Sequence, residues 1–202
     1  MSPPPVWGVL LAAGEGRRFR AAGGGDKLMH PDADGVPLAL ACARRLRAAL
    51  QPDRGDRVLV VVRPGKDVLR RLLEDEGFAV LASPASERGM GASLASAMAV
   101  LPADAPFMVA LADMPCIAPG SYIGVRDALR AGASLVQPRH ADRPGHPVGF
   151  AGRWQVELAG LDGDVGARGL LQAHAAEVLG LAVDDPGILR DVDLPTQLAT
   201  PA

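Results

Sequence analysis

Aromatic residues make up only 3% of the 202-residue chain, so Leu, Val and Ala must fill the interior instead of large rings. Cysteine occurs twice, as Cys42 inside a helical pattern and Cys116 after an apolar strand, with no metal-ligand spacing between them. Both read as small core hydrophobes, and the setting expected is a reducing cytoplasm. No apolar run approaches the ~20 residues of a membrane-spanning helix. Met1 to Pro5 holds three prolines and no basic segment, so neither membrane anchor nor targeting signal is expected. An excess of one charge is missing too: 21 Lys and Arg stand against 23 Asp and Glu, a net charge of −2. With no basic field, binding to nucleic acid is disfavoured, and any nucleotide bound is expected to be a monomer. There is no repeat of fixed period, low-complexity tail or charge block, and the length suits one sizeable core. Residues 1–202 are therefore expected to form a single domain.

Apolar residues, at 49%, are far too abundant for a disordered chain. Val6 to Leu11 reads as a first strand that empties into a glycine-rich loop, Ala12 to Asp26. Val36 to Leu50 places Leu38, Ala41, Cys42, Leu46 and Leu50 at helical spacing between basic residues, and Pro37 suits its first turn. Arg57 to Val62 is a β-branched run of the kind buried on both faces, closed by Pro64-Gly65. A helix over Val68 to Glu76 stopped by Gly77, a strand over Phe78 to Ala82, a polar, flexible stretch over Ser83 to Gly91 and a helix over Ala92 to Leu101 follow. Pro106 to Ala112 is a fourth strand that delivers Asp113 at its carboxyl end. The rest reads as a helix over Pro119 to Ala131, strands over Ser134 to Gln137 and Gly145 to Phe150, a helix around Gly166 to Ala176, a strand over Val178 to Val183, and a short closing element over Ile188 to Leu198. Gln137 to Arg153 is expected to form a small lobe over the carboxyl edge of the sheet. The alternation implies right-handed crossovers and a mostly parallel sheet with helices on both faces.

In such sheets ligands bind beyond the carboxyl ends of the strands, where the loop after Leu11 and Asp113 both lie. Gly14-Glu15-Gly16 offers backbone N–H groups, and Arg17, Arg18 and Lys27 add the cations a triphosphate needs. The stretch has neither G-x-G-x-x-G opening a helix nor a G-K-[ST] ending, which disfavours hydride transfer and ATPase chemistry; a solvated basic face remains the plain alternative. Asp113 either caps the next helix or holds a cation. Asp193, before Leu194-Pro195, either caps a closing helix or shares a Mg²⁺ with Asp113. Ser93 reads as a helix cap or a ligand donor, and His146 as a turn residue or a substrate-orienting group. His30, His140 and His174 lack any constellation and read as surface residues, and no Cys or His set suits a structural metal.

Several blocks taken together carry a family likeness. LLAAGEGRRF with the later DKL resembles the signature LAAG-x-S-x-R-[MF]-G-x-x-K-L of the MobA-like nucleotidyltransferases, closest within them to molybdenum cofactor cytidylyltransferases. ERGMGASLASAM resembles that branch's GMSSSL segment, LADMP resembles LGDQP, GHPVGF resembles GHPV-x-F, GDVGARGLL resembles GD-x-GAR-x-LL, and DVDLPTQL resembles DIDTPEDL. The resemblance implies a Rossmann-like three-layer α/β/α fold of the nucleotide-diphospho-sugar transferase type. It also implies transfer of CMP from CTP to a phosphorylated, pterin-type acceptor bearing molybdenum, with release of pyrophosphate, in the service of a molybdenum hydroxylase apoenzyme. A guanylyltransferase or a relative with another acceptor is the nearest rival, and a non-catalytic molybdenum cofactor carrier is a rival of another class. By position, Leu11, Ala12, Ala13 and Gly14 would line base and ribose, Arg18 and Lys27 would bind the triphosphate, and Gly91 and Ser93 would face the nucleotide. Asp113 and Asp193 would hold Mg²⁺, while His146 and Arg168, within Gly163 to Arg168, would lie toward the acceptor. The chain departs from the pattern between Arg18 and Lys27, where eight residues stand in place of the usual four, and at Gly16, Gly91, Ala92 and Met114, where polar side chains are usual.

Overall fold

The computed structural model describes residues 4–198; residues 1–3 and 199–202, which the single-domain reading includes, lie outside the described residues. Eight strands form one mixed, mostly parallel sheet: β1 (Trp7–Ala12), β2 (Arg57–Val62), β3 (Ala79–Ala82), β4 (Phe107–Leu111), β5 (Leu135–His140), β6 (Arg143–Pro144), β7 (Val148–Phe150) and β8 (Val178–Ala182). The helices are α1 (Arg17–Ala21), α2 (Leu38–Ala48), α3 (Asp67–Asp75), α4 (Met90–Met98), α5 (Pro119–Arg130), α6 (Gln155–Ala159) and α7 (Arg168–Ala173). From β3 through β2 and β1 to β4 the strands are parallel. Beyond β4 the antiparallel β7 intervenes, then β5, with β8 parallel on the far edge of β5.

The continuous apolar runs are explained by burial on both faces. Along β1, Leu10 and Ala12 join α2, α3 and α5 in one core through Cys42, Leu46, Leu69, Leu73, Tyr122 and Val125. Val9 and Leu11 point the other way, into a core built with Leu94 and Ala97 of α4, Leu158 of α6 and Leu170 of α7. The period of two along each strand thus feeds two separate cores. Phe107 and Phe150 face each other across β4 and β7 and stack with ring centres 5.2 Å apart.

Four expectations require correction. The stretch Ala12 to Asp26 is not all loop, because it contains α1. Five residues are too few to hold a helix alone; Phe19 anchors it, fully buried against Leu38 and Val192. Gln137 to Arg153 makes no separate lobe. Its residues are woven into the sheet, with β5 and β6 paired through Arg139–Pro144 and His140–Arg143 and β7 returning beside β4. The stretch from Ser83 to Gly91 contains a 3-10 turn over Pro84–Arg88 and a buried Ser86, whose hydroxyl donates to the Ser83 carbonyl at 2.6 Å. Cys42 is buried as expected, whereas Cys116 is only partly so. Among the described residues no helix is long and apolar enough to cross a membrane.

Candidate active site

At the carboxyl ends of β1 and β4 lies a cavity of about 400 Å³. Leu11, Ala13 and Gly14 form one wall and Lys27, Ser93 and Asp113 others. Gly16 takes a left-handed conformation, φ 60°, as the chain turns from this wall into α1, a backbone state that costs glycine little. Ala12 does not reach the cavity; it is buried in the core on the opposite face of β1.

Lys27 sits at the start of a 3-10 turn, Lys27–Met29, for which Asp26 is the cap, accepting from the Leu28 amide at 3.2 Å. Its ammonium lies 2.7 Å from Oδ2 of Asp113, with the lysine side chain 9% and the aspartate 26% exposed. Asp113 is therefore an ion-pair partner and not a helix cap, since Ala118 precedes α5. The Asp113 carbonyl accepts from the Val192 amide at 2.8 Å, which draws the closing segment, and Asp193 with it, to the same edge. Asp193 accepts from Nη1 of Arg18 at 2.8 Å. It caps nothing: the amides of Asp193 and Leu194 are taken by Oε1 of Gln197. Arg18 lines a smaller hollow of about 240 Å³ with Arg17, Lys27 and Asp193, instead of the main cavity. Lys27 borders both.

A second cavity of about 640 Å³ adjoins the first, sharing Leu11, Met90 and Leu111. His146 and Arg168 both line it, with Gln137, Arg139 and apolar walls that include Val109, Val148 and Phe150. Nδ1 of His146 is buried with no hydrogen-bond partner among the described residues. Burial holds the His146 imidazole below its ordinary pKa, against the opposing pull of the Asp113 and Asp191 charges.

The expectation for Gly91 is not met in its stated form. Gly91 does not line the first cavity; its amide donates to the Gly163 carbonyl at 2.9 Å, and a Cβ there would lie 2.3 Å from the Val165 carbonyl oxygen. Its smallness serves the close approach of the 162–166 segment to α4. Ser93 does line the cavity, but its hydroxyl donates back to the Gly89 carbonyl at 2.9 Å. The remaining histidines are half-buried: His30 packs edge-on to Phe19, His174 edge-on to Trp154, and the ring of His140 lies 3.2 Å from the Val183 carbonyl.

Sequence reasoning missed Arg63, which closes the carboxyl end of β2 and lines the first cavity. It is paired at 2.7 Å with Glu15, which also binds Arg17. The available signal was a cation directly after a fully buried strand, the placement already recognised for Asp113. Also missed were the Lys66–Asp26 pair at 2.6 Å and the Arg88–Asp162 pair at 2.8 Å. Among the described residues, no three acidic, His or Cys side chains gather into a metal-binding cluster.

A mixed sheet with helices on both faces, a glycine-rich turn off its first strand and a cation-lined cleft at the carboxyl edge define a Rossmann-like α/β protein. Residues 8–178 match the MobA-like NTP transferase domain, and the chain belongs to that family of nucleotidyltransferases. The structure is similar to Rv0371c from Mycobacterium tuberculosis, with 29% identity, 98% of each chain covered and a TM-score of 0.81. It also resembles a complex of Rv0371c with manganese, at 26% identity over 89% of this chain and 88% of that one, with a TM-score of 0.71. A nucleotidyl transferase from Methanothermobacter shares the fold at 16% identity, covering 96% of this chain and 94% of that one, with a TM-score of 0.79. No curated protein matches the sequence.

Proposed function

We propose that this nucleotidyltransferase moves CMP from CTP to the terminal phosphate of a pterin-type molybdenum cofactor and releases pyrophosphate. One observation carries the reading most directly: a cation-lined cavity of nucleotide size, with the Lys27–Asp113 pair in its wall, abuts a larger, mostly apolar cavity across Leu11, Met90 and Leu111. The LAAG form of the first block and the GMGAS segment favour cytidine over guanosine. In this reading Leu11, Ala13 and Gly14 hold base and ribose, and Arg18 and Lys27 hold the triphosphate. His146 and Arg168 orient the acceptor. The acceptor phosphate oxygen is already ionised, so it attacks in line without a general base, and the chain's work is positioning and charge neutralisation.

Asp113 and Asp193 suit a Mg²⁺ ion, which takes one or two carboxylates and fills its other positions with water and phosphate oxygens. Both side chains stand on segments joined by the Val192–Asp113 backbone bond, and each already faces a cation that phosphate would claim. The metal would neutralise charge on the phosphates of the bound nucleotide. One domain carries all of this, working in the cytoplasm beside a molybdenum hydroxylase apoenzyme.

The test is calorimetric titration with CTP and with GTP in the presence of Mg²⁺, followed by a pyrophosphate-release assay with molybdopterin-bound molybdenum. CTP should bind more tightly than GTP and turn over. Preference for GTP would move the protein to the guanylyltransferases, and pterin binding without pyrophosphate release would sink the catalytic reading.

A further inference from the structure

Two guanidinium groups from different parts of the chain converge on one carboxylate in the first cavity. Arg63 comes from the end of β2 and Arg17 from the first turn of α1. Oε1 of Glu15 takes Nη1 of Arg63 at 2.7 Å, and Oε2 takes Nε of Arg17. All three side chains line the cavity. The arrangement holds Glu15 below the ordinary carboxylate range, mainly through its hydrogen bond to Arg17, with further help from Arg63. Two guanidinium groups around a shared anion form the arrangement that binds phosphate, and phosphate offers more charge and more acceptor oxygens than a carboxylate does.

We infer that Glu15 is an internal stand-in for a nucleotide phosphate, and that Arg63 is a further phosphate-binding residue released to the triphosphate when Glu15 is displaced. The inference rests on the first cavity being the nucleotide site. The exposures of the three groups divide the work. The Arg63 side chain is 18% exposed and held at a strand end, so it is the fixed half of the cradle, while Arg17, at 83%, is free to follow the ligand.

A second ion pair explains how the loop survives the exchange. Asp26 pairs with Lys66 at 2.6 Å, so the segment from Glu15 to Asp26, which contains the lengthened stretch, is tied at both ends to one turn, Arg63 to Lys66. When Glu15 lets go, the Lys66 tie still holds the end of the stretch beside Lys27. A carboxylate that competes with the ligand lowers affinity, and its removal should raise it. A purely structural role predicts the opposite sign.

The test is calorimetry of the full chain with CTP, with CMP, each with Mg²⁺, and with inorganic tripolyphosphate alone. Glu15→Gln should bind CTP and tripolyphosphate on the order of threefold to tenfold more tightly than wild type. Arg63→Gln should weaken both by a similar factor and leave CMP much less affected. In the double variant the gain from Glu15→Gln should largely vanish, since the cation it frees is gone. Equal or weaker binding by a folded Glu15→Gln variant overturns the inference. So does an Arg63→Gln effect of the same size on CMP as on CTP, which would mean that Arg63 reads base or ribose. Wild-type protein that binds neither CTP nor GTP would instead refute the nucleotide site itself. If Glu15→Gln fails to fold, the Arg63→Gln comparison still decides the outcome.

Discussion

Lys27→Met removes the charge where the first cavity meets the small hollow lined by Arg18 and Asp193, while keeping the apolar stem that packs in the wall. In the wild-type protein the ammonium lies 2.7 Å from Asp113, with the lysine almost wholly buried and the aspartate about a quarter exposed. Breaking a fully buried pair costs about 3–5 kcal/mol. Water reaching Asp113 screens its unpaired charge, which brings the expected loss down to about 1–3 kcal/mol. For a chain of this size that corresponds to a fall in Tm of about 2–12 °C. The effect on turnover should be far larger than the effect on folding. Withdrawing one charge-stabilising donor from a phosphoryl-type transition state costs about 10²–10³ in rate. Calorimetric melting gives the first quantity and pyrophosphate release at saturating Mg²⁺ gives the second. The double variant Lys27→Met/Asp113→Asn separates them. It should recover most of the stability, because no unpaired charge remains, and none of the activity. If Lys27→Met kept kcat/KM within threefold of wild type, or if the double variant regained activity with stability, Lys27 would be a structural ion-pair partner and nothing more.

The His146 ring gives a pH signature. Its folded pKa lies below the ordinary value of 6.5 because of burial, so the unfolded state binds the extra proton first. Stability is then complete above pH 6.5 and falls as the pH drops through 6.5 toward the folded pKa. Urea midpoints at pH 7.5 and 5.5 should show that fall in wild type and less of it in His146→Gln; identical slopes would contradict it. Asp185 is buried and accepts from the Ala118 amide at 2.8 Å, the Ser121 hydroxyl at 2.6 Å and the Gly187 amide at 2.9 Å. Asp185→Ala strands those donors at a cost of about 2–4 kcal/mol, and should speed hydrogen exchange at the Val192 amide that holds Asp193 in place. Unchanged melting and exchange would show that the closing segment is fixed by other contacts.

The strands that carry the site were legible because each is apolar on both faces and ends in a punctuating residue. The runs of β1, β2 and β4, and the delivery of Asp113 at the end of β4, needed no long-range information. Lys27 was singled out as a cation beside the glycine-rich stretch and Asp193 as a carboxylate ending a short apolar stretch, but their ion pairs were not foreseen, because such pairs depend on how distant loops meet. Arg63 and Glu15 escaped for the same reason: each looks solvated until the turn after β2 is laid against the turn after β1. The helix α1 was hidden by its glycine-rich surroundings, since one buried ring, Phe19, holds it and five residues give no periodicity to read. Gly91 was misread because its motif block suggested ligand contact, whereas closeness to another backbone segment governs the position. The weave of β5, β6 and β7 has no local signal at all, as strand order is decided by tertiary packing.

The network of pairs in the cleft has a kinetic consequence. Lys27 is matched by Asp113, Arg18 by Asp193 and Arg88 by Asp162, while Glu15 offsets part of the charge of Arg17 and Arg63. Seen from a distance, this cleft projects little positive field, so a triphosphate is not drawn in by long-range steering, and its association rate should respond weakly to ionic strength. The same carboxylates stand ready to reclaim their cations after transfer. In the proposed reaction pyrophosphate would then leave a site that is already restoring its own internal pairs, where a bare cluster of cations would hold the product fast.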